Sequence, residues 1–259
     1  MAAMSEPASE LEDDELVLHG RITSASNATF LGSIGDTAVV YKPIRGERPL
    51  WDFPDGNLAN REVAAYVLSE LTGWDIVPET WLRTGPHGTG MVQRWCEIDP
   101  DQAAVTLVPA GEVPPGYRHV FDGVGARDQP VSLIHEDTVE LRRMAVFDVL
   151  ANNADRKGGH VLEMAGGHRY GCDHGLTFHR EPKLRTVLWG WMGEPLTDEE
   201  VEVVRRVRAA LDGAGGDLLG EHLAYWDLEA LALRCDRLLA TGVLPEPGDD
   251  WHVIPWPPF

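Results

Sequence analysis

Between Asn152 and His179 the chain concentrates side chains suited to acid–base and metal chemistry. Asp155-Arg156-Lys157-Gly158-Gly159-His160 puts a carboxylate beside an Arg on a loop, and Asp173-His174-Gly175 puts a second carboxylate just before a glycine. The carboxylates stand 18 positions apart, enough for a loop and a hairpin whose ends meet. Brought together, such a pair suits phosphoryl transfer. One carboxylate orients or deprotonates the attacking hydroxyl, and the other holds a divalent metal on phosphate oxygens. Asp and Gly are also ordinary turn residues, so either element alone would be read as a turn. Upstream, Lys42 ends a β-type run and Glu62 follows 20 residues later on a helical one, a pairing able to grip phosphate oxygens. Alone, that pair reads as a surface salt bridge.

The elements that must position these groups are legible from periodicity. Val17–Ile22, Ala28–Gly32 and Thr37–Lys42 are short β-type runs separated by small polar residues, which predicts an antiparallel meander. Asn60–Gly73 reads as a helix, with Val63, Ala64, Val67, Leu68 and Leu71 on one face, Asn60 as cap and Gly73 as stop. Glu79–Arg83 and Met91–Trp95 read as strands joined by a turn-rich stretch. Thr138–Asn152 carries apolar residues on two sides, which predicts a buried helix delivering Asp155. His160–Met164 and His168–Cys172 flank Ala165-Gly166-Gly167 as a hairpin that returns the chain to Asp173. Thr197–Glu200 has the form of a capping box opening a helix to Leu211. Asp227 is placed as the cap of a last helix closed by Gly242, and Trp251 and Trp256 are expected to lock the Pro-rich end onto the body.

Composition narrows the function classes. A length of 259 residues, 43% of them hydrophobic, suits one large domain or two lobes sharing a core. No apolar run approaches the roughly eighteen residues of a membrane span, so an integral membrane protein is not expected. The N-terminus shows no basic region leading into an apolar one, and no secretion signal is read there. Three separated cysteines, Cys96, Cys172 and Cys235, suit a reducing cytoplasm rather than a disulfide scaffold. Lys plus Arg number 22 against 42 Asp plus Glu, a net charge of -20, and that field repels nucleic acid. Residues 1–16 carry acidic side chains without Lys or Arg and read as a disordered lead-in.

Four stretches, taken in order, resemble the phosphatidylinositol 3-/4-kinase-like branch of the protein kinase fold, with type II phosphatidylinositol 4-kinases and HipA-type kinases as relatives. They are Val40–Glu47, Arg61–Tyr66, Phe147–Arg156 and Asp173–Phe178, within roughly residues 20 to 180. The resemblance implies an α+β, two-lobed fold: a strand-rich small lobe over 17–97 and a helix-rich large lobe over 98–259, meeting near Trp95–Pro100. It also implies an ATP-dependent phosphotransferase using Mg²⁺ or Mn²⁺. Lys42 would contact the nucleotide phosphates and Glu62 would orient it. Asp155 would be the catalytic base, Arg156 would count with it among the catalytic residues by shaping its loop, and Asp173 would hold metal. Gln93 to Glu97, Trp95 included, would face the adenine. The region from Ser24 to Leu31 lacks the family's glycines and would cover the phosphates through Ser24, Ser26 and Asn27. His160 stands where the family has a metal-binding Asn. Imidazole suits Mn²⁺ or Zn²⁺ better than Mg²⁺, so His160 is either a ligand of a second metal or a neutral spacer bonded to Asp155 or Asp173. The alternative is a nucleotide-binding pseudokinase without turnover. A metal-dependent hydrolase built on Asp155, His160, Asp173, His174 and His179 lacks a fixed ligand spacing. The basic run His179–Arg185 reads as a solvated loop or as a receiver of an anionic substrate. Against so acidic a protein, a soluble molecule or a protein is the expected acceptor rather than a membrane lipid.

Overall fold

The computed structural model describes residues 11, 14–23, 27–48, 50–53, 56–248 and 252–259. Strands β1 (Leu16–Arg21), β2 (Phe30–Ile34), β3 (Thr37–Pro43), β4 (Thr80–Gly85) and β5 (Gly88–Arg94) form an antiparallel sheet in the order β1-β2-β3-β5-β4. Its alternation sorts two faces. Val39, Tyr41, Trp81 and Val92 turn to one side and bury with Leu16, Ile34 and Leu11. Lys42, opposite Met91, and Val40, opposite Gln93, share the other. Close approach of β5 to β3 needs Gly90, where a Cβ would lie 2.5 Å from the Lys42 carbonyl. The stretch expected as a long turn between β4 and β5 is mostly strand, because the Thr84–Thr89 and Gly85–Gly88 pairs continue the ladder.

Helix α1 (Leu58–Thr72) covers the Lys42 face, packing Ala59 and Val63 on Met91. Its cap is Asn57, whose side chain accepts from the Asn60 N–H, so the helix starts earlier than expected. Gly73 ends it in a left-handed conformation at φ 65°. The described end of the acidic lead-in is packed rather than disordered. Leu11 is buried against the sheet, and the Arg83 guanidinium donates to the carbonyls of Leu11 and Asp14.

A second antiparallel sheet, β6 (Val105–Pro109), β8 (Pro130–Glu136) and β7 (Tyr117–Val124), in the order β6-β8-β7, follows the first. It was not expected from the sequence. Next come α2 (Val139–Ala151), the hairpin β9 (Val161–Glu163) and β10 (Arg169–Gly171), α3 (Asp198–Leu211), α4 (Ala214–Gly220) and α5 (Tyr225–Thr241). Thr197 and Glu200 make the reciprocal capping box. Asp227 does not cap α5. It is buried in the first turn and pairs with Arg61 of α1 at 3.0 Å, an ion pair that outweighs capping there. The main core joins Met144, Phe147 and Leu150 of α2, Val203, Val204 and Val207 of α3, Leu231, Cys235 and Leu238 of α5, and Ala64, Ala65 and Leu68 of α1. The fold is thus α+β, a strand-rich part and a helix-rich part with α1 packed against both. Trp251 lies outside the described residues, and Trp256 is 79% exposed, so it does not lock the tail. Val253 does so instead, its carbonyl accepting from Thr186 N–H and Trp189 Nε1.

Candidate phosphoryl-transfer site

Lys42 leaves β3 on the face covered by α1, and its ammonium meets two carboxylates there. Glu62 Oε1 lies 2.6 Å away and Asp173 Oδ1 2.7 Å away. Glu62 is buried, and its second oxygen accepts the His174 N–H at 2.8 Å, so one side chain joins α1, β3 and the turn after β10. Burial alone would lower the Lys42 ammonium pKa. The charges of Asp173 and Glu62 outweigh burial and hold it above its ordinary value. Lys42 in turn keeps the Asp173 carboxyl well below the usual carboxylate range. Burial pushes Glu62 up, against the pull of Lys42. Asp173 takes a left-handed backbone at φ 59°, which Asp tolerates better than most residues.

The loop bearing Asp155 begins where α2 stops at Asn152, itself left-handed at φ 51°. Asn152 Nδ2 donates to the carbonyls of His179 and Glu181, and its Oδ1 accepts from the Lys183 N–H. Asn153 donates to Asp148 and accepts from the Asp155 N–H. These three polar residues carry the loop and were not singled out from the sequence. Their signal is a carboxylate and a paired Asn-Asn at the end of an otherwise apolar helix. The Asp155 carboxylate remains partly exposed, with Lys157 Nζ at 3.2 Å.

Arg156, placed from the resemblance among the catalytic residues, points the other way. It is fully buried and paired with Asp148 at 2.9 Å. It also donates to the carbonyls of His160 and Cys172 and to His174 Nε2 at 2.7 Å. A guanidinium only donates, so His174 Nε2 is unprotonated there, and burial with the Arg156 charge pushes that imidazole well below its ordinary pKa. Arg156 therefore shapes the loop from beneath and does not reach the exposed carboxylates.

His160 lies between the two acidic loops. Its Nδ1 meets the Asp155 carbonyl at 2.8 Å and must carry the proton, since a carbonyl only accepts. In neutral imidazole Nε2 then presents a lone pair toward Asp173 Oδ2, 3.4 Å away, and burial favours that neutral form. Two acceptors face one another, an arrangement that a cation between them satisfies. The pair is a partial donor set, one carboxylate and one imidazole, with no group of three or more metal-ligating side chains among the described residues; an imidazole in it suits Mn²⁺ better than Mg²⁺.

The remaining candidates are distributed around this centre. Gln93 lies on the Lys42 face, buried, with its amide donating to Thr80 Oγ1. Trp95 follows β5, partly exposed, with Nε1 on Glu97. Asn27 accepts from the Arg48 N–H, whereas Ser24 and Ser26 lie outside the described residues. The hydrolase set does not converge. His174 is engaged by Arg156, and His179 accepts from the Glu181 N–H with its ring edge-on to Phe53 at 5.1 Å. The basic run 179–185 is solvated only over 180–182. His179 and Lys183 are buried, and Lys183 pairs with Asp52 at 3.6 Å.

No family model matches the sequence. A proinflammatory kinase of Helicobacter pylori, CtkA, has a crystal structure with a TM-score of 0.43 and 12% identity, over 90% of this chain and 94% of that one. Protein Rv2133c of Mycobacterium tuberculosis (strain ATCC 25618 / H37Rv) is 48% identical over 262 residues, covering 96% of this chain and 94% of the relative. At that identity over nearly the full length of both chains, this protein belongs to the family of Protein Rv2133c.

Proposed function

We propose that the chain is an ATP-dependent phosphotransferase of the phosphatidylinositol 3-/4-kinase-like type, moving the γ-phosphate to a hydroxyl of a soluble molecule or protein. One observation carries this reading: Lys42 is held between Glu62 and Asp173, while His160 offers a lone pair to the other oxygen of Asp173. In this reading Lys42 binds phosphate oxygens and Glu62 fixes its direction. Asp155 receives the proton of the attacking hydroxyl, and Asp173 with His160 holds the cation. A divalent ion supplies neutralisation of phosphate charge when bound. The same reading assigns Gln93 and Trp95 to the adenine. Free thiols at Cys96, Cys172 and Cys235 suit the cytoplasm, and no helix among the described residues is long and apolar enough to cross a membrane.

Asp173 Oδ1 is taken up by the Lys42 ammonium, and this latch across the acidic centre favours a second reading, a nucleotide-binding module without turnover. Calorimetric titration of ATP and ADP with Mg²⁺ and Mn²⁺, followed by a turnover assay, separates the two. The phosphotransferase binds nucleotide with metal and turns over faster with Mn²⁺, and His160→Asn moves the preference toward Mg²⁺. Binding without turnover in the wild type, with activity created by His160→Asn, supports the regulatory module. No nucleotide binding with either metal refutes both.

A further inference from the structure

Residues 252–259 return across the loop that carries Asp155 and His160. The Val253 carbonyl ties this strap to Thr186 and Trp189, Ile254 packs against the main core, and Pro255 is buried. At its far end the Pro258 carbonyl accepts the Gly158 N–H at 2.8 Å. A Cβ on Gly158 would stand 2.5 and 2.7 Å from ring carbons of Phe259 and 3.2 Å from Val105. Gly158 has no positive φ, so it is glycine here for the room the Phe259 ring takes rather than for its backbone. From its other side the loop is held by Arg156, whose N–H donates to the Arg185 carbonyl and whose carbonyl accepts from Val187. The turn that sets His160 is therefore pinned between the segment 185–187 and the strap.

We infer that Pro258 and Phe259 are positioning residues for the Asp155–His160 loop. This rests on the phosphotransferase reading for its effect on turnover, but not for its effect on the loop. Phe259 is 47% exposed, so it contributes little to the core as a whole. What it fixes is the Gly158 turn, and through it the imidazole 3.4 Å from Asp173. The Lys42–Glu62 and Lys42–Asp173 contacts are made by other elements, whereas Asp173 Oδ2 and the Cys172 N–H face the His160 turn itself.

The test is Phe259→Ala in the full chain, read by hydrogen exchange of residues 156–160, thermal melting, nucleotide affinity and turnover. Exchange at Gly158 rises at least about tenfold as its acceptor loosens. A shift of the loop by about 1 Å lowers kcat roughly 10–100-fold. Nucleotide Kd measured without metal stays within about threefold and the melting temperature within about 2 °C, because the Lys42–Glu62 pair and the core are untouched. Gly158→Ala, which expels the ring, gives the same exchange change, and the two substitutions together are no worse than either alone. Unchanged exchange at Gly158 in both variants overturns the inference, as does a loss of Kd, kcat and melting temperature in step. A wild type without turnover whose Gly158 exchange still responds supports the strap and sinks the phosphotransferase reading instead.

Discussion

Replacing Arg156 by Met separates a scaffolding group from a catalytic one. The Arg156 and Asp148 side chains are both 0% exposed, so removing the guanidinium leaves a carboxylate with only Asn153 and Thr186 as partners in a dry site. It also strips donors from the His160 and Cys172 carbonyls and from His174 Nε2. Breaking a buried ion pair from one side costs about 3–5 kcal/mol, a large part of the roughly 5–15 kcal/mol that holds a domain folded. At roughly 2–4 °C per kcal/mol for a chain of this size, the melting temperature falls by about 6–20 °C. Scanning calorimetry or near-ultraviolet circular dichroism of the buried tryptophans reads this directly. Asp148→Leu combined with Arg156→Met should lose less than the sum of the two single changes, since no buried charge is then left without its partner. An Arg156→Met protein that melts within about 2 °C of wild type yet has lost phosphoryl transfer would refute this reasoning and return Arg156 to the catalytic set.

The two acidic loops should fail differently. Asp173→Asn removes the charge facing His160 and Lys42 and should weaken metal–nucleotide affinity by tenfold or more, whereas Asp155→Asn should spare binding and abolish transfer; calorimetry beside a turnover assay shows an error if both lose binding equally. Stability should also fall in acid through His135, whose Nδ1 donates to the Glu136 carbonyl while Nε2 accepts from the Gly190 N–H. Burial lowers this imidazole from an ordinary 6.5 to about 4, so its contribution is whole above pH 6.5 and is lost as pH falls toward 4, a loss of about 3 kcal/mol. His135→Gln should flatten the melting temperature against pH across that window, and an unchanged slope contradicts the assignment.

The sheet, α1, α2 and the β9–β10 hairpin were legible because each repeats its apolar residues with the period of its element and ends on a turn residue that can act there. Lys42, Glu62, Asp155 and Asp173 were legible as types in order, and the fold brings Lys42, Glu62 and Asp173 into direct contact. What stayed hidden is tertiary. The β6–β8 sheet carries no clean alternation, since its central strand is buried from Val131 to Glu136 whereas both edges are half exposed, and Pro109, Gly111, Pro114, Pro115 and Gly116 break the pattern between them. Asp227 looks like a helix cap until Arg61, 166 positions away, claims its carboxylate. Arg156 looks catalytic by its place beside Asp155, and only the burial of Asp148 turns it inward. No local pattern announces that Pro258 and Phe259 sit on Gly158.

The placing of α1 bears on how such a site can be controlled. A Lys–Glu pair acts as a switch only where the helix bearing the Glu can swing away at small cost. Here α1 cannot. Arg61 donates to the Thr177 carbonyl and pairs with Asp227 of α5 in a buried site, one residue from Glu62. At the other end Ser69 Oγ accepts from the N–H groups of Ile76 and Val77, stapling the exit of the helix to the chain that follows. Between them Ala64, Ala65 and Leu68 lie in the main core, so outward rotation would expose core surface and strand two buried charges together. The Lys42–Glu62 contact is thus part of the folded state rather than one of two settings. Freedom is left instead to the Asp173 latch and the Gly158 turn, where one carboxylate is shared among partners and one glycine is held by an aromatic ring that is half exposed. Those two contacts are the ones in the site that can change without unpacking the core.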